Sequence, residues 1–231
     1  MTATLPRRVV AEFLGTAFLV AAVVGSGIMA ERLSGGNIAL ALLANTIATG
    51  AALVALILAF GPVSGAHLNP AVSLADAVEG GLSRRDLLAY ITAQISGGLC
   101  GTLLAHFMFG LPAITLSHHA RAGSSQFLSE FVATFGLLAV IWGCARSRPN
   151  AVPFAVASYI VAAYWFTTST SFANPAVTIA RSISDTFAGI RPIDAPAFVA
   201  AQLLAALAAT TLFRWLAPKA PVPATRNAAS S

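Results

Sequence analysis

Asn69 and Asn174 are the residues whose chemistry the rest of the chain must position. Each opens the same phrase: Asn69-Pro70-Ala71-Val72-Ser73-Leu74-Ala75 returns as Asn174-Pro175-Ala176-Val177-Thr178-Ile179-Ala180, at an offset of 105 residues. An Asn side chain caps the free N–H groups of a helix start, and proline suits the first helical position, where its missing N–H is not needed. Each copy therefore predicts an extended coil that turns into a short helix at the Asn. The amide also has donors to offer the oxygen lone pairs of a small polar molecule. No nucleophile, paired catalytic acids or nucleotide loop accompanies the two boxes, which argues against an enzyme. His118-His119 stand without further ligands at metal spacing and read as exposed polar residues. The sequence implies no metal and no cofactor.

The elements that position these residues lie in lipid. Apolar residues make up 57% of the chain and charged residues only 9%, against about 25% charged in a soluble domain. The net charge of +5 does not point to nucleic acid, because the basic residues flank apolar runs instead of gathering on one face. Cys100 and Cys144 fall in apolar runs and imply no disulfide framework. Six runs have the length of a span: Val9 to about Ala30, Ile38–Phe60, about Leu87–Phe109, Phe127–Cys144, Val152 to about Thr168, and Pro196–Leu216. The first follows Arg7-Arg8 but is too long for a signal-peptide core. Runs of this kind mean helices. The expected fold is thus an all-α membrane protein with six transmembrane helices and two re-entrant half-helices. It forms a single domain over residues 1–231, with a Pro/Ala/Ser-rich tail at 217–231 expected to be disordered.

The repeat extends beyond the boxes. Ala11-Glu12-Phe13 is matched by Ser129-Glu130-Phe131, Thr16 by Thr134, and Ala93-Gln94 by Ala201-Gln202. Three spans per half make the repeat inverted, with halves at about 8–110 and 127–216, and short apolar segments at matching places in two such halves point to a transport site at the bilayer midplane. Glu12 and Glu130 sit inside apolar runs, where an ionisable residue is functional or structural glue. They are expected to anchor the re-entrant loops, whose backbone finds no partners in lipid. With the N-terminus inside, nine basic residues (Arg7, Arg8, Arg84, Arg85, Arg146, Arg148, Arg214, Lys219, Arg226) lie on the inner side and four (Arg32, Arg121, Arg181, Arg191) on the outer. That bias places both termini in the cytoplasm.

The two Asn-Pro-Ala boxes, Ser64-Gly65-Ala66-His67 before the first, and the Glu–Thr pairs make the chain resemble the aquaporin (major intrinsic protein) family from about Arg8 to Leu216. The resemblance implies a right-handed bundle in the plasma (inner) membrane, half-helices meeting end to end, a pore through each protomer and a homotetramer. Asn69, Pro70, Ala71, Asn174, Pro175 and Ala176 then sit at the pore centre. Paired half-helix N-termini place positive dipole ends there, which repel cations, and the Asn donors occupy the lone pairs of a passing water or hydroxyl. His67 is expected at the inner mouth.

One position departs from the family pattern. Most members carry arginine directly after the second box, in the outer filter, and this chain has Val177. Aligned on the family, Thr49, Ala162 and Ser171 complete the ring, which is then free of arginine, histidine and aromatic residues and wider than a water-only filter. Arg181 and its first-half counterpart Asp76 are candidates for pore mouths or for paired residues of a vestibule wall. Val at this place resembles a bacterial subgroup linked to arsenic resistance. The expected function is a passive channel for water and small uncharged solutes, trivalent or methylated arsenicals among them. A glycerol or urea facilitator is the alternative, and an ion-coupled secondary transporter the third reading.

Overall fold

A computed structural model describes residues 3–216. The tail expected at 217–231, with Lys219 and Arg226, lies outside the described residues. Eight α-helices follow one another: α1 (Leu5–Leu33), α2 (Ile38–Ser64), α3 (Pro70–Val78), α4 (Arg84–Met108), α5 (Ser124–Ser147), α6 (Val152–Phe166), α7 (Pro175–Arg181) and α8 (Ala195–Leu216). Their starts follow local rules. Asn37 Oδ1 accepts from the Leu40 amide and Ser83 Oγ from the Asp86 amide, capping α2 and α4. Asn69 and Asn174 cap α3 and α7, each with proline at the first position.

Five helices, α1, α2, α4, α5 and α8, are long and apolar enough to cross a membrane. The fifth run, Val152 to about Thr168, forms a shorter helix than its apolar stretch suggests. Arg148 leaves helical geometry, Pro149–Ala151 forms a 3-10 turn, and Thr167 is extended, which confines α6 to 15 residues. At 1.5 Å per residue that is about 22 Å, short of a hydrocarbon core of about 30 Å. The flanking turn and loop complete the crossing, since Thr168 reaches the start of α5 through Ser129.

Arg8 bonds Asp86, and Arg146 bonds the Phe213 carbonyl. These contacts bring the starts of α1 and α4 and the ends of α5 and α8 to one end of the bundle, here called proximal. α3 runs from the middle to the proximal end and α7 from the middle to the distal end. Each half-helix packs on both α4 and α8. Thr102 Oγ1 of α4 donates to the Ala180 carbonyl of α7. Apolar side chains such as Phe18, Leu88, Phe107 and Trp215 face outward, while Glu12, Gln94, Glu130 and Gln202 are buried. That distribution suits a lipid solvent, in which polar groups must find partners inside.

α1 and α4 meet at closest range through Gly97 and Gly101, where a Cβ would overlap the Phe13 and Ala17 carbonyls. Small residues four apart let helix backbones touch in a membrane. Gly101→Ala is therefore expected to part the helices and cost about 1–3 kcal/mol, read as a lowered unfolding midpoint of the detergent-solubilised protein. An unchanged midpoint would mean that the crossing is not a tight contact.

Candidate functional site

Two short loops, one before each half-helix, meet inside the bundle. Their backbones are unusual in matching ways: Ala66, Leu68, Ser171 and Ala173 all have φ between 47° and 51°. Left-handed geometry in residues other than glycine costs about 1–3 kcal/mol each and persists only where the surroundings impose it. Two buried carboxylates impose it here. Glu12 accepts from Ser64 Oγ at 2.6 Å, the His67 amide at 2.9 Å, the Leu68 amide at 2.6 Å and Gln94 Nε2 at 2.8 Å. Glu130 accepts from the Phe172 amide at 2.8 Å, the Ala173 amide at 2.9 Å and Gln202 Nε2 at 2.6 Å. Gln94 and Gln202 also donate to Ser73 and Thr178 on the half-helices. The two glutamines were legible only as a repeated pair, and their work as second donors to the carboxylates comes from the fold. Among the described residues the hydroxyls of Thr16 and Thr134 have no partner, and nothing in the structure explains the repetition of these threonines.

The Asn side chains are locked across the junction. Asn69 Oδ1 accepts from the Ala71 amide while Nδ2 donates to the Ala173 carbonyl at 2.8 Å; Asn174 Oδ1 accepts from the Ala176 amide while Nδ2 donates to the Leu68 carbonyl, also at 2.8 Å. Each amide thus clamps the other loop and retains one N–H. Both residues line a cavity of about 280 Å³, together with Gly65–Leu68 and Ser171–Ala173. The cavity runs from Asp76, Trp142 and Val152 near the proximal end to Thr49, Tyr164 and Arg181 toward the distal end. It joins amide donors at mid-bundle to walls that are mostly aliphatic.

His67 lines the proximal half, its Nδ1 3.1 Å from Ser73 Oγ and its Nε2 3.9 Å from Asp76 Oδ2. At the other end Thr49, Ser171 and Val177 line the cavity as buried residues. Ala162 does not join them. It is exposed on the outside of α6, whose lumen face is the row Val152, Val156, Ile160 and Tyr164. Two residues from either Ile160 or Tyr164 is about 200° round a helix, so Ala162 points away. The cause lies in packing. Val161 fills the space over Gly50 of α2, and Tyr159 fills that over Gly136 of α5, where a Cβ would collide with either. With those residues seated, Tyr164 turns inward, and its hydroxyl lies 3.3 Å from Thr49 Oγ1. The distal part of the cavity therefore holds an aromatic residue where the family alignment gave none.

Arg181 is neither a solvent-exposed mouth nor an ion-paired wall residue. It is 2% exposed, its Nε donates to the Ala188 carbonyl, and its guanidinium lies 3.4 Å from the centre of the Phe172 ring. Arg121, placed by sequence only in a loop, reaches the same ring at 5.0 Å and donates to the Gly189 and Ser169 carbonyls. Asp76 and His67 occupy the equivalent places at the proximal end, since both pairs are 105 residues apart. His118 is paired with Asp185 by its amide and ring, which hold that carboxyl below its ordinary range.

Residues 1–152 match the family described as Major intrinsic protein. The chain is 60% identical over 212 residues to Aquaglyceroporin AqpS of Rhizobium meliloti (strain 1021), a match covering 92% of this chain and 91% of that protein. It is 37% identical over 129 residues to Probable aquaporin NIP7-1 of Arabidopsis thaliana, where the match spans only 46% of the relative's length. Among solved structures, the aquaglyceroporin from Plasmodium falciparum superposes with a TM-score of 0.64 at 23% identity, covering 92% of this chain and 95% of that one. At that identity the likeness shows the fold.

Proposed function

This chain belongs to the major intrinsic protein family of water and small-solute channels, and from that premise we propose a passive pore for water and small uncharged solutes whose constriction is formed by Thr49, Tyr164, Ser171 and Val177. The observation that carries it is the ring itself. It joins the Thr49–Tyr164 hydroxyl pair, 3.3 Å apart, to the isopropyl group of Val177, where most members place arginine. A ring that mixes hydroxyls with an apolar side chain suits solutes built the same way, such as polyols and neutral methylated oxyacids. Glycerol, urea and trivalent or methylated arsenicals fall in that class, and the relative named an aquaglyceroporin supports the polyol reading.

Along the loops that border the lumen, the carbonyls of Ala66, His67, Ser171 and Phe172 accept no protein hydrogen bond among the described residues, so they offer acceptors to a solute O–H on the way. The remaining N–H of Asn69 and of Asn174 offers donors to its oxygen. A solute so held exchanges its hydration one bond at a time. Ion coupling finds little support, because Glu12 and Glu130 are saturated by loop and glutamine donors. The charge bias of the loops supports cytoplasmic termini in the inner membrane. The apolar outer faces support single-domain, inverted-repeat protomers set in lipid, and family membership supports their assembly as a homotetramer.

Stopped-flow light scattering on proteoliposomes, with water, glycerol, urea and arsenite gradients, tests the reading. Flux of water and at least one of the larger solutes above empty vesicles is expected; none at all, or uptake that requires a proton gradient, would refute a passive pore. Tyr164→Phe removes one ring hydroxyl at constant ring volume. A hydrogen bond contributes about 0.5–1.5 kcal/mol, so the glycerol-to-water flux ratio is expected to fall by up to about tenfold. Ala162→Leu, on the outer face of α6, is expected to leave that ratio unchanged. The opposite pattern would restore Ala162 to the ring.

A further inference from the structure

Resting on the channel reading, and going beyond neutral solutes, we propose that the distal end of the lumen is a docking site for a small planar oxyanion, held by the terminal nitrogens of Arg181. Arg181 lines the cavity at 2% exposure, and among the described residues only its Nε has an acceptor, the Ala188 carbonyl. Among the same residues Nη1 and Nη2 donate to nothing and no carboxylate pairs with the group. A charge removed from water is costly unless a partner completes it. Ser171, next in sequence to the ring on which the guanidinium lies, lines the same cavity. The terminal nitrogens of Arg181 are thus left to an acceptor that enters the cavity.

The surroundings deepen the positive field. Arg121 lies against the same Phe172 ring and spends its side chain on the carbonyls of Gly189 and Ser169, which leave its charge uncompensated. The acidic groups nearby are engaged elsewhere. Asp185 is bound by His118, Asp194 by Arg191 and the Arg121 amide, and Glu130 by the loop amides and Gln202. A guanidinium offers parallel N–H bonds in a plane and selects planar oxyanions such as carboxylate or nitrate. At the proximal end the equivalent position is Asp76, whose carboxylate lines the same cavity. An anion is therefore drawn to the distal end and opposed at the proximal one: it docks and obstructs instead of passing.

Nitrate is the probe. Glycerol flux into proteoliposomes is measured with nitrate on both faces, against gluconate at equal ionic strength, each variant scaled to its own nitrate-free flux. Calorimetric titration of the detergent-solubilised wild type with nitrate runs alongside. Saturable, several-fold inhibition of the wild type is expected, with one nitrate bound per chain. Arg181→Gln should abolish the nitrate sensitivity, and Arg181→Lys, which keeps the charge but loses the planar fork, should raise the half-inhibiting concentration several-fold. Nitrate-independent wild-type flux without calorimetric binding overturns the site, as does unchanged sensitivity in Arg181→Gln. If Arg181→Gln does not fold, unchanged sensitivity in Arg181→Lys overturns the site. Absence of glycerol and water flux in the nitrate-free wild type refutes the channel reading instead, and the calorimetry still decides the site.

Discussion

Val177→Arg is expected to abolish glycerol, urea and arsenite flux while water flux stays measurable. Val177 is 5% exposed and lines the distal part of the lumen with Thr49 and Tyr164, whose hydroxyls lie 3.3 Å apart. Arginine there puts five donors and a long side chain into space now bounded by an isopropyl group. It also stands one turn from Arg181 on α7, so two guanidiniums share one wall. At about 6 Å and an effective dielectric constant near 20, two like charges repel by roughly 3 kcal/mol. The new side chain is thereby driven across the lumen, away from Arg181. An added barrier of only about 1.4 kcal/mol slows a solute tenfold, and a larger solute that must give up more contacts meets more than that. Water is small and accepts from the new donors. The measurement is solute-specific swelling of vesicles at matched protein density. Unchanged glycerol flux in Val177→Arg would mean that Val177 does not border the narrowest point, and the wide-ring reading would fail with it.

Glu12→Gln is expected to be the most destabilising isosteric change in the chain, and Glu130→Gln the next. Each carboxylate accepts from two consecutive loop amides, and the left-handed residues Leu68 and Ala173 are held by those bonds. A glutamine keeps the shape but turns an NH2 group toward donors that need an acceptor. A buried donor left without one costs about 1–3 kcal/mol, and at least one is orphaned in either variant. Glu12 takes four hydrogen bonds and Glu130 three, so the loss should be larger at Glu12. Thermal unfolding followed by size-exclusion recovery in detergent reads the effect, with Glu12→Gln below Glu130→Gln and both below wild type. Wild-type midpoints combined with a lost pH dependence of flux would instead favour proton-coupled transport.

What the amino-acid sequence determined by itself is whatever short-range chemistry dictates. The Asn-Pro starts of α3 and α7 follow from capping and from the fixed geometry of proline, which act within a few residues. The lipid solvent follows from composition, and the paired halves follow from a repeat that also marks Glu12, Glu130, Gln94 and Gln202. Thr49, Ser171 and Val177, which only the resemblance to the family singled out, line the cavity. Tertiary structure alone decided the remainder. α6 is apolar on nearly every side, because in lipid its outer face need not be polar, and a helix without a polar face carries no mark of which way it turns. Its rotation comes from Val161 seated on Gly50 and Tyr159 on Gly136, contacts between residues more than twenty positions apart. That rotation puts Tyr164 in the ring and Ala162 outside it. The stacking of Arg181 and Arg121 on Phe172, and the crossed bonds from Asn69 to Ala173 and Asn174 to Leu68, likewise join segments that no local pattern connects. They exist because the two loops, denied water, must satisfy their polar groups on each other.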